Sequence, residues 1–160
     1  MNKKEYGMIA QMKVMQAKLD EAILKEHKCE YSLENTRLAL IDELGETNHE
    51  NKGNWCWWKY TQKPVDREML LEELADAWHF ALSIDNHENN LMPDAIFRKA
   101  INDNETFTTS YVMSLIVSRI TYILPLMVVL TKKLGFRIED VYAAYMEKNE
   151  ENYERLASGY

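Results

Sequence analysis

Hydrophobic residues recur three or four positions apart along most of the chain, the spacing that places them on one face of an α-helix. The first such repeat predicts a helix over residues 4–27, through Met8, Met12, Met15, Leu19 and Ile23. No segment shows the strict alternation of a half-buried strand. The pattern therefore predicts an all-α helical bundle, formed by residues 1–160 as a single domain.

Capping and breaking residues divide the rest of the pattern into further helices. Ser32 and Asp66 are suited to cap helices, Pro93 fits a first turn, and Gly135 ends an apolar run. The predicted helices cover about 33–49, 66–86, 93–101, 107–134 and 138–156.

Residues 111–130 are apolar over about the length that spans a bilayer. Arg119, Ser114, Ser118 and Pro125 interrupt the run, so a buried helix is favoured over a membrane span. A small chain has little core to surround such a helix. We therefore expect it to lie at a homodimer interface.

Composition narrows the function classes. The 160 residues are 46% hydrophobic and 28% charged, with 5 Gly and 3 Pro, which excludes collagen-like and wholly disordered chains. The net charge of −7 disfavours nucleic-acid binding, and an anionic substrate would need localised cations. Two cysteines and the lack of a signal-peptide pattern predict a cytoplasmic protein.

Two acidic pairs are candidates for metal binding. Glu43 and Glu46 are three residues apart in the second helix, as are Glu73 and Asp76 in the third. Residues at this spacing project from the same side of a helix. Neither segment supplies a Lys or Arg to relieve the repulsion, so a divalent cation is predicted between them, Mg²⁺ or Mn²⁺ for oxygen ligands. Gly45, in mid-helix, suggests that another group approaches closely there.

A histidine follows each pair, at His49 and His79, which opens a second interpretation as a di-iron carboxylate bundle. Helical rotation carries each histidine away from the carboxylate face, and the other helices offer no comparable buried Glu. Oxygen-only binding is favoured.

An aromatic segment and a polar tail complete the candidate chemistry. Residues 55–60 place Trp55, Trp57, Trp58 and Tyr60 around Lys59, and flat rings beside a cation suit a nucleobase and its phosphates as well as a core lid or subunit contact. The last helix carries Lys148, Asn152 and Arg155 at one-turn spacings before Tyr160. Together with a metal site, this arrangement suggests a C-terminal segment that closes over a polyphosphate.

These pieces together resemble the dimeric all-α dUTPases within the MazG-like nucleoside triphosphate pyrophosphohydrolases. The resemblance rests on Glu-Leu-Gly-Glu at 43–46, Trp-Cys-Trp-Trp-Lys at 55–59, Glu-Leu-Ala-Asp-Ala-Trp-His-Phe at 73–80, the tail at 148–160 and Gln-Ala-Lys-Leu-Asp at 16–20. It implies a homodimer that converts dUTP, with dUDP as a further candidate, to dUMP and pyrophosphate.

The resemblance also implies residue roles. Glu46 is expected to act as the general base. Metal binding is expected at Glu43, Glu46, Glu73 and Asp76, phosphate binding at Lys59, Lys148, Asn152, Arg155 and Tyr160, and nucleoside binding at Gln16, Asp20, Trp55, Trp58, His79 and Phe80. Some relatives have an amide where this chain has Asp20.

Two alternatives stay open. A related pyrophosphohydrolase could act on dCTP or another nucleotide, since base choice depends on details of the pocket. A helical regulatory or interaction module would keep the fold without the chemistry, although such a module has no reason to retain four mutually repelling carboxylates.

Overall fold

The computed structural model describes residues 1–88, 92–118 and 122–159, and within these ranges it is all-α with no strand. A 3₁₀ turn at Asn51–Asn54 follows the second helix. The helices are α1 (Lys3–His27), α2 (Leu33–Glu50), α3 (Arg67–His87), α4 (Asp94–Asn104), α5 (Thr109–Ser118), α6 (Ile123–Lys133) and α7 (Ile138–Ser158). The predicted fold class is confirmed.

Side-chain caps explain why the predicted starts of α2 and α3 agree with the structure. The Ser32 hydroxyl accepts from the backbone N–H of Asn35, and the Asp66 carboxylate accepts from those of Glu68 and Met69. Each bond satisfies an N–H that the first helical turn leaves without a partner.

Helix α3 is the centre of the bundle, in contact with α1, α2, α6 and α7. Leu70, Leu74 and Trp78 are fully buried. The Trp78 indole N–H donates to Thr131 Oγ1 at 3.0 Å, which satisfies the polar end of the largest buried side chain. The site residues of α3 are thus carried on a helix whose position is fixed by packing on four sides.

The prediction of one helix over 107–134 is wrong. The structure has two helices there, α5 and α6, and Tyr122, just before α6, is left-handed with φ 69°. Pro125 accounts for the break, because proline lacks an N–H and its ring clashes with the carbonyl four residues earlier. In the first turn of α6 that donor is not needed. Arg119 lies outside the described residues.

Helix α6 is covered by its own chain. Every residue from Ile123 to Thr131 is buried, with α3, α4, α5 and α7 around it. The α6 part of this apolar run is therefore covered within the single chain, and the homodimer interface expected for the run stays a prediction. No helix in the described part of the chain is long and apolar enough to cross a membrane.

One face of α2 carries apolar side chains in solvent. Leu38 is 59% and Ile41 is 42% exposed, and Gly45 continues the same face one turn later. A Cβ added at Gly45 would meet nothing within 4 Å. The expectation that some group approaches Gly45 closely is wrong for the single chain.

Candidate active site

Three carboxylates converge where α2 and α3 pack side by side. Glu43 from α2 and Glu73 and Asp76 from α3 each place one oxygen within 4.8 Å of the others'. All three side chains are half-buried. The i, i+3 spacing on α3 aims Glu73 and Asp76 at the same neighbour, which is why two helices suffice to form the cluster.

Burial and mutual repulsion raise the pKa values of two members. The pKa of Glu43 rises to about 7, first through burial and then through the negative charges of Asp76, Glu46 and Glu73. That of Glu73 also rises to about 7, through burial, the charge of Glu46 and a hydrogen bond with Glu46. Glu46 itself is exposed and lines a shallow depression beside the cluster with Glu73.

The donor set fits a hard divalent cation. Every potential ligand atom in the cluster is a carboxylate oxygen, and the negative charges are close enough to oppose one another's ionisation. A cation between them would relieve this repulsion. No histidine belongs to this group in the described part of the chain. His49 is exposed and His79 is buried, so the di-iron interpretation gains no support.

Lys148 changes the charge balance that the sequence predicts. Its Nζ lies 2.9 Å from Asp76 Oδ2 and 3.5 Å from both Glu72 and Glu151. Burial raises the pKa of Asp76, and Lys148 opposes that rise. Burial alone would lower the pKa of Lys148, and its acidic partners raise it overall. The segments that carry the carboxylates supply no basic residue, but α7 supplies Lys148 to Asp76.

A cleft of about 420 Å³ begins at the cluster and runs between α1, α3, α7 and the start of α2. Glu73 and Glu46 lie at its acidic end rather than in its wall. The cleft brings together nine of the residues predicted from the sequence: Gln16, Asp20, Glu43, Asp76, His79, Phe80, Lys148, Asn152 and Arg155.

A polar network forms the floor of the cleft. Gln16 Oε1 accepts from the Tyr145 hydroxyl at 3.0 Å and lies 2.8 Å from His79 Nδ1, while Gln16 Nε2 donates to Asp20 Oδ1 at 2.7 Å. An amide oxygen only accepts, so the His79 proton belongs on Nδ1. The His79 ring stacks on Tyr145 with centroids 4.1 Å apart. Burial, then the charge of Lys148, lowers the pKa of His79 to about 3, which keeps the ring neutral.

The aromatic segment lies apart from this cleft. Trp55, Trp58 and Lys59 are exposed, and none of them lines the cleft. The Trp55 N–H donates to the carbonyl of Asn48 at 2.9 Å, which holds that ring against the end of α2. The single chain therefore does not bring these three predicted residues to the cleft. Tyr160, predicted to bind phosphate, lies outside the described residues.

Sequence reasoning missed part of the cleft wall. Tyr31, Ser32, Asn35 and Thr36 line it from the start of α2. Ser32 was assigned only a capping role, and a residue that caps a helix gives no separate signal for a pocket. Tyr145 is buried in the core, and its hydroxyl also donates to Gln16 and so orients that side chain.

One comparison with known proteins identifies the chain. A family model described as dUTPase matches residues 8–160, which include every described element of the site. No curated protein matches the chain. The match covers nearly the whole sequence, so the chain belongs to the dUTPase family and is a dUTP diphosphatase.

Proposed function

We propose that this dUTPase hydrolyses dUTP to dUMP and pyrophosphate with Mg²⁺ held by the carboxylates of α2 and α3. One observation carries the proposal: oxygens of Glu43, Glu73 and Asp76 lie within 4.8 Å of one another at the end of a cleft that also holds Lys148 and Arg155. Carboxylates at one end and cations beside them suit a metal-bound polyphosphate.

The residues in this proposal divide by the chemistry of their side chains. Glu43, Glu73 and Asp76, with Glu46 beside them, would hold Mg²⁺, or Mn²⁺ in its place. Bound there, a divalent cation offsets phosphate charge and lowers the pKa of a coordinated water. Lys148, which contacts Asp76, and Asn152 and Arg155, which line the same cleft, would orient the phosphates.

Glu46 is our candidate for the general base. It is exposed, unlike its neighbours, and it shares a hydrogen bond with Glu73, so it can exchange a proton with water while staying beside the cluster. A base must lie within hydrogen-bond reach of the water that it deprotonates. The depression that Glu46 and Glu73 line leaves room for that water.

The same cleft would receive the nucleoside. Gln16, Asp20, His79 and Phe80 line it and supply hydrogen-bonding groups and an aromatic ring. Trp55, Trp58 and Lys59 can contribute only if the segment moves or comes from a second subunit, because in the single chain they lie outside the cleft. Tyr160 is likewise still proposed to bind the phosphates.

Pyrophosphate release from dUTP by the purified chain with Mg²⁺ tests this function. Because a divalent cation on the carboxylates would offset phosphate charge and activate water, we expect release that stops on chelation and resumes with Mg²⁺ or Mn²⁺. Absence of release under these conditions would refute the proposal and favour a helical interaction module. Values of kcat/KM for dUTP, dUDP and dCTP separate the dUTPase from a dCTP-directed enzyme.

We also propose a homodimer in a reducing, cytoplasmic setting. The exposed apolar face of α2, at Leu38 and Ile41, supports the first part, because large side chains left in solvent on one helix face suit a subunit contact. The described cysteines are both unpaired thiols, which agrees with the second part.

A further inference from the structure

Lys148 is fully engaged by carboxylates in the free chain. Its ammonium has three N–H donors, and three acidic partners surround it, Asp76 at 2.9 Å and Glu72 and Glu151 at 3.5 Å. The side chain is only 14% exposed, so water competes weakly for these contacts. A residue expected to bind phosphate is thus already bound on the acidic side of the cleft.

Asp76 belongs to two arrangements at once. One of its oxygens completes the three-carboxylate group with Glu43 and Glu73, and its Oδ2 accepts from Lys148. Two cations on one small carboxylate repel each other strongly where water is largely excluded. A divalent ion bound to the cluster and the ammonium bound to Asp76 therefore oppose each other.

We propose that Lys148 is a resident competitor of the divalent cation, holding Asp76 in the free protein and passing to a phosphate of the nucleotide when substrate enters. This inference rests on the proposed metal site. Lys148 lines the cleft as well as contacting Asp76, so an incoming phosphate can offer it a new anion without moving α7. Metal and nucleotide then strengthen each other's binding, and linkage requires the effect to be reciprocal.

Calorimetric titration of Mn²⁺ into the nucleotide-free protein tests the competition. Loss of a partly buried charged hydrogen bond leads us to expect about tenfold tighter Mn²⁺ binding in Lys148→Met than in wild type. Lys148→Gln, which keeps a polar side chain in case the Met variant folds poorly, should tighten binding in the same direction. Lys148→Arg keeps the charge and should stay weak.

Lys133→Met is the matched charge control. Lys133 donates to the Glu105 carbonyl and does not line the cleft, so its loss changes net charge by the same amount without touching Asp76. Equal Mn²⁺ affinity in wild type, Lys148→Met and Lys148→Gln would overturn the inference. Equal tightening by Lys133→Met would overturn it too, since net charge would then explain the effect.

The effect of nucleotide on metal binding is tested with the product dUMP, which the proposed reaction does not hydrolyse further. Saturating dUMP should tighten Mn²⁺ binding by a larger factor in wild type than in Lys148→Met, because only wild type has a competitor to remove. Equal factors would contradict the transfer of Lys148 to phosphate. Neither Mn²⁺ titration depends on catalysis, so a negative result in them would leave the proposal of dUTP hydrolysis intact. Missing pyrophosphate release would count against the proposed function alone.

Discussion

At the scale of single residues, the site depends on side chains whose charge state the fold has shifted. Glu43 and Glu73 have pKa values near 7, while His79 has a pKa near 3. The sequence could suggest the raised pKa values of Glu43 and Glu73, because each has an acidic neighbour three residues later on the same helix and the two charges repel. It could not suggest Lys148 beside Asp76, since the two residues are 72 positions apart in sequence and meet only through packing of α3 on α7.

Glu46→Gln tests the assignment of the base. Removal of a general base leads us to expect kcat for dUTP to fall about 10² to 10⁴-fold. The variant should remain folded because Glu46 is exposed. Steady-state pyrophosphate release measures the change.

Glu50→Gln is a matched control on the same helix, since Glu50 lines the same depression but is not among the residues proposed to bind the metal or act as base. A comparable loss of kcat in both variants would show that catalysis depends on the negative charge around the depression and not on Glu46 as the base.

His79 should make the fold sensitive to acid. Its folded pKa of about 3 lies below the ordinary 6.5, so its contribution to stability is present above pH 6.5 and is lost as pH falls towards 3. Between pH 7 and 4.5 the loss amounts to about 2 to 3 kcal/mol, since nearly two pH units contribute 1.36 kcal/mol each. Urea unfolding of wild type and His79→Gln at both pH values measures it.

Glu43 and Glu73, whose pKa values are raised, change the free energy of unfolding in the opposite direction over this pH range. Their folded pKa values near 7 exceed the ordinary 4.5, so their protonation stabilises the fold as pH falls from 7 to 4.5. Both proteins share this effect, and subtracting one pH dependence from the other removes it. Parallel profiles for wild type and His79→Gln would contradict a buried, neutral imidazole.

At the scale of elements, capping residues made the starts of α2 and α3 predictable, whereas the break in the long apolar run and the burial of its second half were not. Ser32 and Asp66 cap helices as expected, and Pro125 divides the long apolar run into α5 and α6. The complete burial of α6 depends on four other helices packing around it, which no local window contains. The open surface at Gly45 likewise depends on which neighbours are absent from that side of α2.

Two glycines in helix interiors provide a matched pair for the free face of α2. Gly7 in α1 and Gly45 in α2 both have nothing within 4 Å of an added Cβ. In an open helix position alanine is favoured over glycine by about 1 kcal/mol. We expect Gly7→Ala to stabilise the protein by about that amount and Gly45→Ala to stabilise it less, because a second subunit is proposed to pack on that face. Chemical unfolding measures both, and equal gains would place the subunit contact elsewhere.

At the scale of the whole molecule, the described buried residues form a core cluster within one chain, so assembly can be separated from folding. Leu38→Arg places a charge in the middle of the exposed face of α2, where the single chain tolerates it because the side chain is already 59% exposed. A buried charge without a partner at a subunit contact is costly. We expect a folded monomer by light scattering, with unchanged helical circular dichroism.

Lys18→Glu, on an exposed position of α1, is the control for a charge change on the surface. A dimer that survives Leu38→Arg, or that Lys18→Glu also breaks, would be inconsistent with an interface on α2.

The two thiols differ in a way that makes the cleft observable. Cys29 is exposed, two residues before Tyr31 in the cleft wall, whereas Cys56 is buried. A maleimide dye applied to the folded protein should therefore label one position, at the rim of the pocket. Its fluorescence would report the arrival of a nucleotide in real time, without an engineered cysteine and without turnover.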